Sequence, residues 1–173
     1  ISVVAFDKTG TLTMGKPQLA NFEATTGFDE NEVLRFAAAA ESQSEHPIAR
    51  AIEKAAHERN LELPEVSAFT AIGGFGLQAT IEGKSVLIGA DRLMKQHTID
   101  VSDLSQSASS LAAKGQTPFY IALDGVAAGL ITVADPIKPG AVETILQLQQ
   151  TGHSVAMITG DNAATAAAIA AEL

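Results

Sequence analysis

The apolar run at residues 1–6 ends directly in Asp7-Lys8-Thr9-Gly10-Thr11, and this junction constrains the fold more than any other stretch of the 173 residues. Its Val-Val-Ala-Phe segment reads as a parallel strand buried on both faces. In open α/β sheets the ligand crevice lies beyond the carboxyl ends of such strands, so Asp7 is placed as a candidate nucleophile. Lys8 can neutralise phosphate charge, the threonine hydroxyls can hydrogen-bond it, and Gly10 lets the backbone turn close to it. A second strand of this kind, Ser154 to Ile158, runs into Thr159-Gly160-Asp161-Asn162 and an alanine-rich helix. The Thr159 hydroxyl and the free amides at the helix start offer an anion site, although Asp161 or Asn162 would serve equally as a plain N-cap.

If both loops belong to one small domain, the residues between them form an insertion large enough to be a domain itself. Residues 18–23, 67–71, 77–81, 85–88, 118–123 and 127–132 read as six strands. Glu82-Gly83 and Asp124-Gly125 read as tight hairpin turns, which imply antiparallel pairing. Helices are expected at 31–41, 47–60, 91–96, 101–114 and 140–150. In the second of these, Ile48, Ala51, Ile52, Ala55 and Ala56 fall on one apolar face. Pro136 and Pro139 break the chain between the last strand of the insertion and the next helix, whatever else Asp135-Pro136-Ile137-Lys138 does. Pro47 suits a first helical turn and sets His46 at the helix mouth, where an imidazole could stack on a purine or simply cap and pack. Gly73-Gly74-Phe75-Gly76 would let a ligand lie against bare backbone, but a strand bulge uses glycines equally well.

Taken in order, these segments resemble the heavy-metal transporting P-type ATPases. DKTGT, starting at Asp7, is similar to the phosphorylation motif. Ser44-Glu45-His46-Pro47 is similar to the SEHP block of the metal-pump branch, Gly74-Phe75-Gly76 to its GxGxxG, Asp135 to Lys138 to its DPxK, and Thr159 to Asn162 to its TGDN. The chain departs from the pattern at Ala79, where the third glycine is expected, and at Gly89-Ala90, where Gly-Asn is usual. The resemblance implies an α/β fold in which residues 1–15 and 134–173 form part of a haloacid dehalogenase-like, Rossmann-type phosphorylation domain. Residues 16–133 would form an inserted α+β nucleotide-binding domain, a six-stranded antiparallel sheet flanked by helices.

It also implies the site. ATP is the substrate, Mg²⁺ the cofactor, and Asp7 the residue phosphorylated, with Lys8, Thr9, Thr159 and Gly160 at the phosphoryl group and Asp161, also in the catalytic set, near the nucleotide. Glu41, His46, Gly74, Gly76 and Gly89 would bind the nucleotide, and Asp7 with the Thr9 carbonyl would ligate the metal. The implied partners are the actuator and transmembrane domains of one parent chain and a transported ion bound elsewhere in it. Monovalent copper is the cargo expected, with zinc, cadmium or lead as the alternative. A free-standing phosphatase of the dehalogenase-like class carries an aspartate general base two residues after its nucleophile, and here that position is Thr9, a poor base.

Composition is consistent with this reading. No apolar stretch reaches the ~20 residues that span a bilayer and nothing at the start resembles a signal peptide, and the resemblance implies a cytoplasmic piece of a membrane protein. The downstream magnesium-binding block of the family is not reached before Leu173. There is no cysteine and hence no thiolate metal site, and the net charge of -9 argues against nucleic-acid binding. Met14, Met94 and Met157 are expected to pack in cores rather than bind metal.

Overall fold

The computed structural model describes residues 2–45 and 47–173. Two sheets organise the chain. The larger is the six-stranded antiparallel sheet expected, in an order the sequence left open: β2 (Gln18–Ala24), β3 (Val66–Ile72), β4 (Gly76–Ile81), β5 (Lys84–Gly89), β6 (Thr117–Leu123) and β7 (Val126–Ala134) lie in the order β2-β7-β6-β5-β4-β3. Both tight hairpins form where Glu82-Gly83 and Asp124-Gly125 stand, with positive φ at all four residues, the primed-turn geometry that matches strand twist.

This sheet is buried on both sides, which explains why its central strands are apolar throughout rather than alternating. On one side α1 (Glu30–Glu41) and α2 (Pro47–Glu58) pack Val33, Leu34, Phe36, Ile48 and Ile52 against Val86, Ile88, Ile121 and Ile131. On the other side α3 (Asp91–Gln96) and α4 (Ser102–Ala112) pack Leu93, Met94, Leu104 and Ala108 against Leu87, Tyr120 and Leu130. Asp29 caps α1 by accepting from the Glu32 amide at 2.9 Å. The second and fourth helices stop two residues short of the expected ends, at Glu58 and Ala112.

The smaller sheet pairs β1 (Val3–Asp7) with β8 (Ser154–Ile158) in parallel, register Val3 to Ser154 through Asp7 to Ile158. Here α5 (Ala141–Gln150) lays Ala141 and Ile145 against Phe6, Val155 and Met157, while α6 (Ala163–Glu172) leads away from β8. The expectation that β1 is buried on both faces is not met. Val3 is 56% exposed and Ile158 61%, because the described residues supply a helical layer to one face of this pair and none to the other. Met14 likewise is 42% exposed rather than packed, whereas Met94 is fully buried.

The two crossings between the sheets are fastened to each other. The Asp135 carboxylate accepts from the Thr13 hydroxyl at 2.6 Å and from the Gly15 and Lys16 amides at 3.1 and 3.0 Å. The Met14 amide donates to the Pro136 carbonyl and the Lys138 amide to that of Leu12, both at 2.8 Å. Asp135-Pro-Ile-Lys is thus more than a helix break, since it pins the outgoing strand beside the incoming one. No described helix is long and apolar enough to cross a membrane.

Candidate functional site

Parallel pairing of β1 with β8 brings the two polar loops out side by side, with Asp7 opposite Ile158 and Thr159 next in line. Asp7 is exposed, on extended backbone, at the end of its strand. Lys8 turns inward, only 8% exposed, and its ammonium donates to Asp161. That carboxylate is a hub: Oδ2 also accepts from the Thr159 hydroxyl at 2.9 Å, and Oδ1 from the Thr117 hydroxyl at 2.9 Å. Burial pushes the Asp161 pKa up, but the hydrogen bond and charge of Lys8, with the two threonines, outweigh it and hold the group below its ordinary value. Lys8 therefore meets a protein carboxylate first. An ammonium has three donors, so it can keep Asp161 and still reach a phosphoryl oxygen. Asn162, not Asp161, caps α6 by accepting from the Thr165 amide at 2.9 Å.

A cleft of about 770 Å³ runs from this loop pair to the glycine turn of the larger sheet. At one end it is lined by Lys8, Thr9, Thr159, Gly160 and Asp161, and at the other by Glu41, Gly74 and Gly76. Asp7 stands beside the first group without lining the cleft, Gly89 lies outside it, and His46 falls outside the described residues.

Glycine is required in the turn for two different reasons. Gly74 has φ +72°, and its carbonyl accepts from the Arg92 guanidinium, which also stacks on the Phe75 ring 4.2 Å from its centroid. Gly76 and Gly89 face each other across β4 and β5. A Cβ on Gly76 would fall 2.0 Å from the Ile88 carbonyl oxygen, and one on Gly89 would fall 2.2 Å from that of Phe75. These two are closed by neighbouring backbone, so Gly89 shapes the turn from behind.

Glu41 ends α1 at 3% exposure, and its Oε2 has no hydrogen-bond partner among the described residues. Burial, helped by the nearby Glu53 and opposed by a hydrogen bond with Ser44, raises its pKa from 4.5 to about 7. The folded state therefore holds this proton more tightly than the unfolded chain. Stability falls as pH rises from about 4.5 to about 7 and then levels, by roughly 3 kcal/mol in all. We expect Glu41→Gln to flatten that slope in urea midpoints measured from pH 5 to 8. An unchanged slope would remove Glu41 as its source.

Residues 1–173 match the haloacid dehalogenase-like hydrolase family along their whole length. The chain belongs to that family. Among curated proteins, this dehalogenase-like chain is similar to copper-transporting ATPase 2 of Rhizobium meliloti (strain 1021), 46% identical over 171 residues, covering 99% of this chain and 21% of the relative. It thus spans about a fifth of that relative's length. Among solved structures, a zinc-transporting PIB-type ATPase in its E2.Pi state superposes with TM-score 0.70 at 35% identity, covering 99% of this chain and 28% of that one. The N-domain of a copper-transporting P-type ATPase superposes with TM-score 0.56 at 31% identity, covering 66% of this chain and 97% of that one.

A magnesium ion fits the donor set of this dehalogenase-like loop. The exposed Asp7 carboxylate and the carbonyl of Thr9, whose extended backbone (φ -74°, ψ 119°) interrupts the turn, are oxygen donors, and Mg²⁺ takes few protein ligands and keeps several waters. No cluster of three or more His, Cys, Asp or Glu suited to a metal occurs among the described residues. Sequence reasoning gave no site role to Thr117 or Arg92. Thr117 looks like any residue opening a strand, and Arg92 sits in a short helix whose contact with Gly74 exists only after β4 and β5 have paired.

Proposed function

We propose that this chain is the ATP-binding and phosphorylating part of a heavy-metal transporting P-type ATPase, with residues 16–133 as nucleotide-binding domain and 1–15 with 134–173 as part of the phosphorylation domain. The observation that carries the reading is the single cleft with a glycine turn and a buried, part-unpaired carboxyl at one end and Thr9, Lys8 and Thr159 at the other. Adenine lies at the Glu41–Gly74–Gly76 end, and the resemblance assigns His46, which falls outside the described residues, to nucleotide binding as well.

The Asp7 carboxylate attacks the γ-phosphorus. An oxygen–phosphorus bond forms to give an acyl phosphate, and the bond to the β,γ-bridging oxygen breaks to release ADP. Lys8 and the Thr159 hydroxyl stabilise the transferring oxygens, and Asp161 holds both of them. The Asp7 carboxylate and the Thr9 carbonyl would hold Mg²⁺, which when bound would supply charge neutralisation at the phosphates. Thr9 cannot act as the general base that a simple phosphatase of the family places there, so the acyl phosphate outlives its formation. That persistence is what coupling to transport requires.

Monovalent copper is the cargo we favour, since the curated relative in R. meliloti is named for copper transport. The 35% identity to a zinc-transporting structure gives zinc as the second reading. Phosphorylation of the assembled pump in membrane vesicles separates them. Stimulation of labelling by Cu⁺ or Ag⁺ is expected, stimulation by Zn²⁺ alone would change the cargo, and labelling indifferent to all three would overturn the transport reading.

A further inference from the structure

Thr117 opens β6 on the larger sheet, yet its hydroxyl reaches out of that sheet to Asp161 Oδ1 at 2.9 Å, across 44 residues of sequence. The same dipeptide is held a second time. Thr165 on α6, fully buried, donates from Oγ1 to the Gln116 carbonyl at 2.9 Å, and the Gln116 side chain is itself fixed by the Thr132 hydroxyl at 2.6 Å. Alongside, the position a side chain would take at Gly115 lies 3.4 Å from Ile169 of α6. These contacts bind one spot of the larger sheet to the loop and helix that follow β8.

The division of labour at Asp161 is specific. Oδ2 takes Lys8 and Thr159, both from the smaller unit, and Oδ1 takes Thr117, from the larger one. A carboxylate anchored at one oxygen can rotate about its own bond, whereas one anchored at both cannot. We propose that Thr117 is a positioning residue that orients Asp161, and through it the Lys8 ammonium, only while the larger sheet is seated against the Thr159–Asp161 loop. Its consequence for catalysis rests on the phosphoryl-transfer reading above; the geometry does not. In that reading, seating of the sheet and alignment of Lys8 are one equilibrium, because the same hydrogen bond belongs to both.

Carbon-detected NMR on this chain, with carboxyl-labelled aspartate and the Asp161 signal assigned by Asp161→Asn, tests the inference. Thr117→Val keeps shape and removes the donor, so the Asp161 titration midpoint moves up. Thr117→Ala must move it the same way, and Thr117→Ser must bring it back towards wild type. An unmoved midpoint in folded Val and Ala variants, or a Ser variant that behaves like Val, overturns the proposal. Wild-type ATP binding is measured on the same samples. Its absence would overturn the phosphoryl-transfer reading while leaving the Asp161 result to decide the role of Thr117.

Discussion

Asp7→Asn is expected to abolish the phosphoenzyme that the proposed function requires. In the proposed parent pump, label from γ-labelled ATP that survives acid but is released by hydroxylamine, as an acyl phosphate is, should fall by on the order of 10⁴ or more. An amide has the shape of the carboxylate but not its nucleophilicity, and an exposed strand-end residue can accept the change without strain. Nucleotide binding should survive, because Asp7 stands beside the cleft rather than lining it, and removal of its charge relieves repulsion of the γ-phosphate. Label retained in the variant at the wild-type level would place the nucleophile elsewhere.

Gly89→Ala should be among the most damaging conservative changes in the larger sheet. Its Cβ would lie 2.2 Å from the Phe75 carbonyl oxygen and 2.6 Å from Leu93 Cδ2. The leucine end can rotate away but the carbonyl cannot, because Phe75 is held in the turn that joins β3 to β4. The Ala90 amide donates to this same oxygen at 3.2 Å, and the Phe75 amide donates to the Ile72 carbonyl at 2.9 Å. Relief requires β4 and β5 to separate at their Gly76 to Gly89 pair, at a cost of about 3 kcal/mol or more. For a chain of this size that lowers the melting temperature by roughly 6 to 12 °C. ATP affinity should fall with it, since the displaced carbonyl belongs to the turn that carries Gly74 and Gly76. Gly160→Ala is the control: a Cβ there meets nothing within 4 Å, and its melting temperature should stay within about 1 °C of wild type. Equal melting temperatures for Gly89→Ala and wild type would show that the strands part more easily than these distances allow.

Local chemistry was legible in the sequence, and long-range pairing of polar groups was not. The six strands follow from apolar runs, and two of their pairings, β4 with β5 and β6 with β7, follow from the Glu-Gly and Asp-Gly turns that join them, whereas β2 with β7 and β5 with β6 pair strands distant in sequence. The helix starts are equally local: Asp29 and Asn162 each sit three residues before the amide they cap. By contrast, Lys8 and Asp161 are 153 residues apart, and no spacing rule links them. A lysine beside a candidate nucleophile suggests a phosphate ligand, and only the fold shows that it is also the partner of a buried acid. Asp135 reads as part of a proline break, while its three donors come from Thr13, Gly15 and Lys16, on the far side of the insertion. Glu41 closes a run of six consecutive buried residues, so its burial, the main cause of its raised pKa, follows from position, and only the smaller push from Glu53 of the next helix needs the fold. The expectation for β1 failed for a related reason. An apolar strand announces that it wants two covered faces, not that the described chain supplies them.

The most direct measurement is calorimetric titration of ATP into this chain, with and without Mg²⁺, beside ADP, GTP and the His46→Ala variant. The account predicts saturable binding of ATP and ADP, discrimination against GTP, and loss of binding in the variant. A folded wild-type chain that takes up no adenine nucleotide, or binds ATP and GTP alike with His46 dispensable, would contradict it.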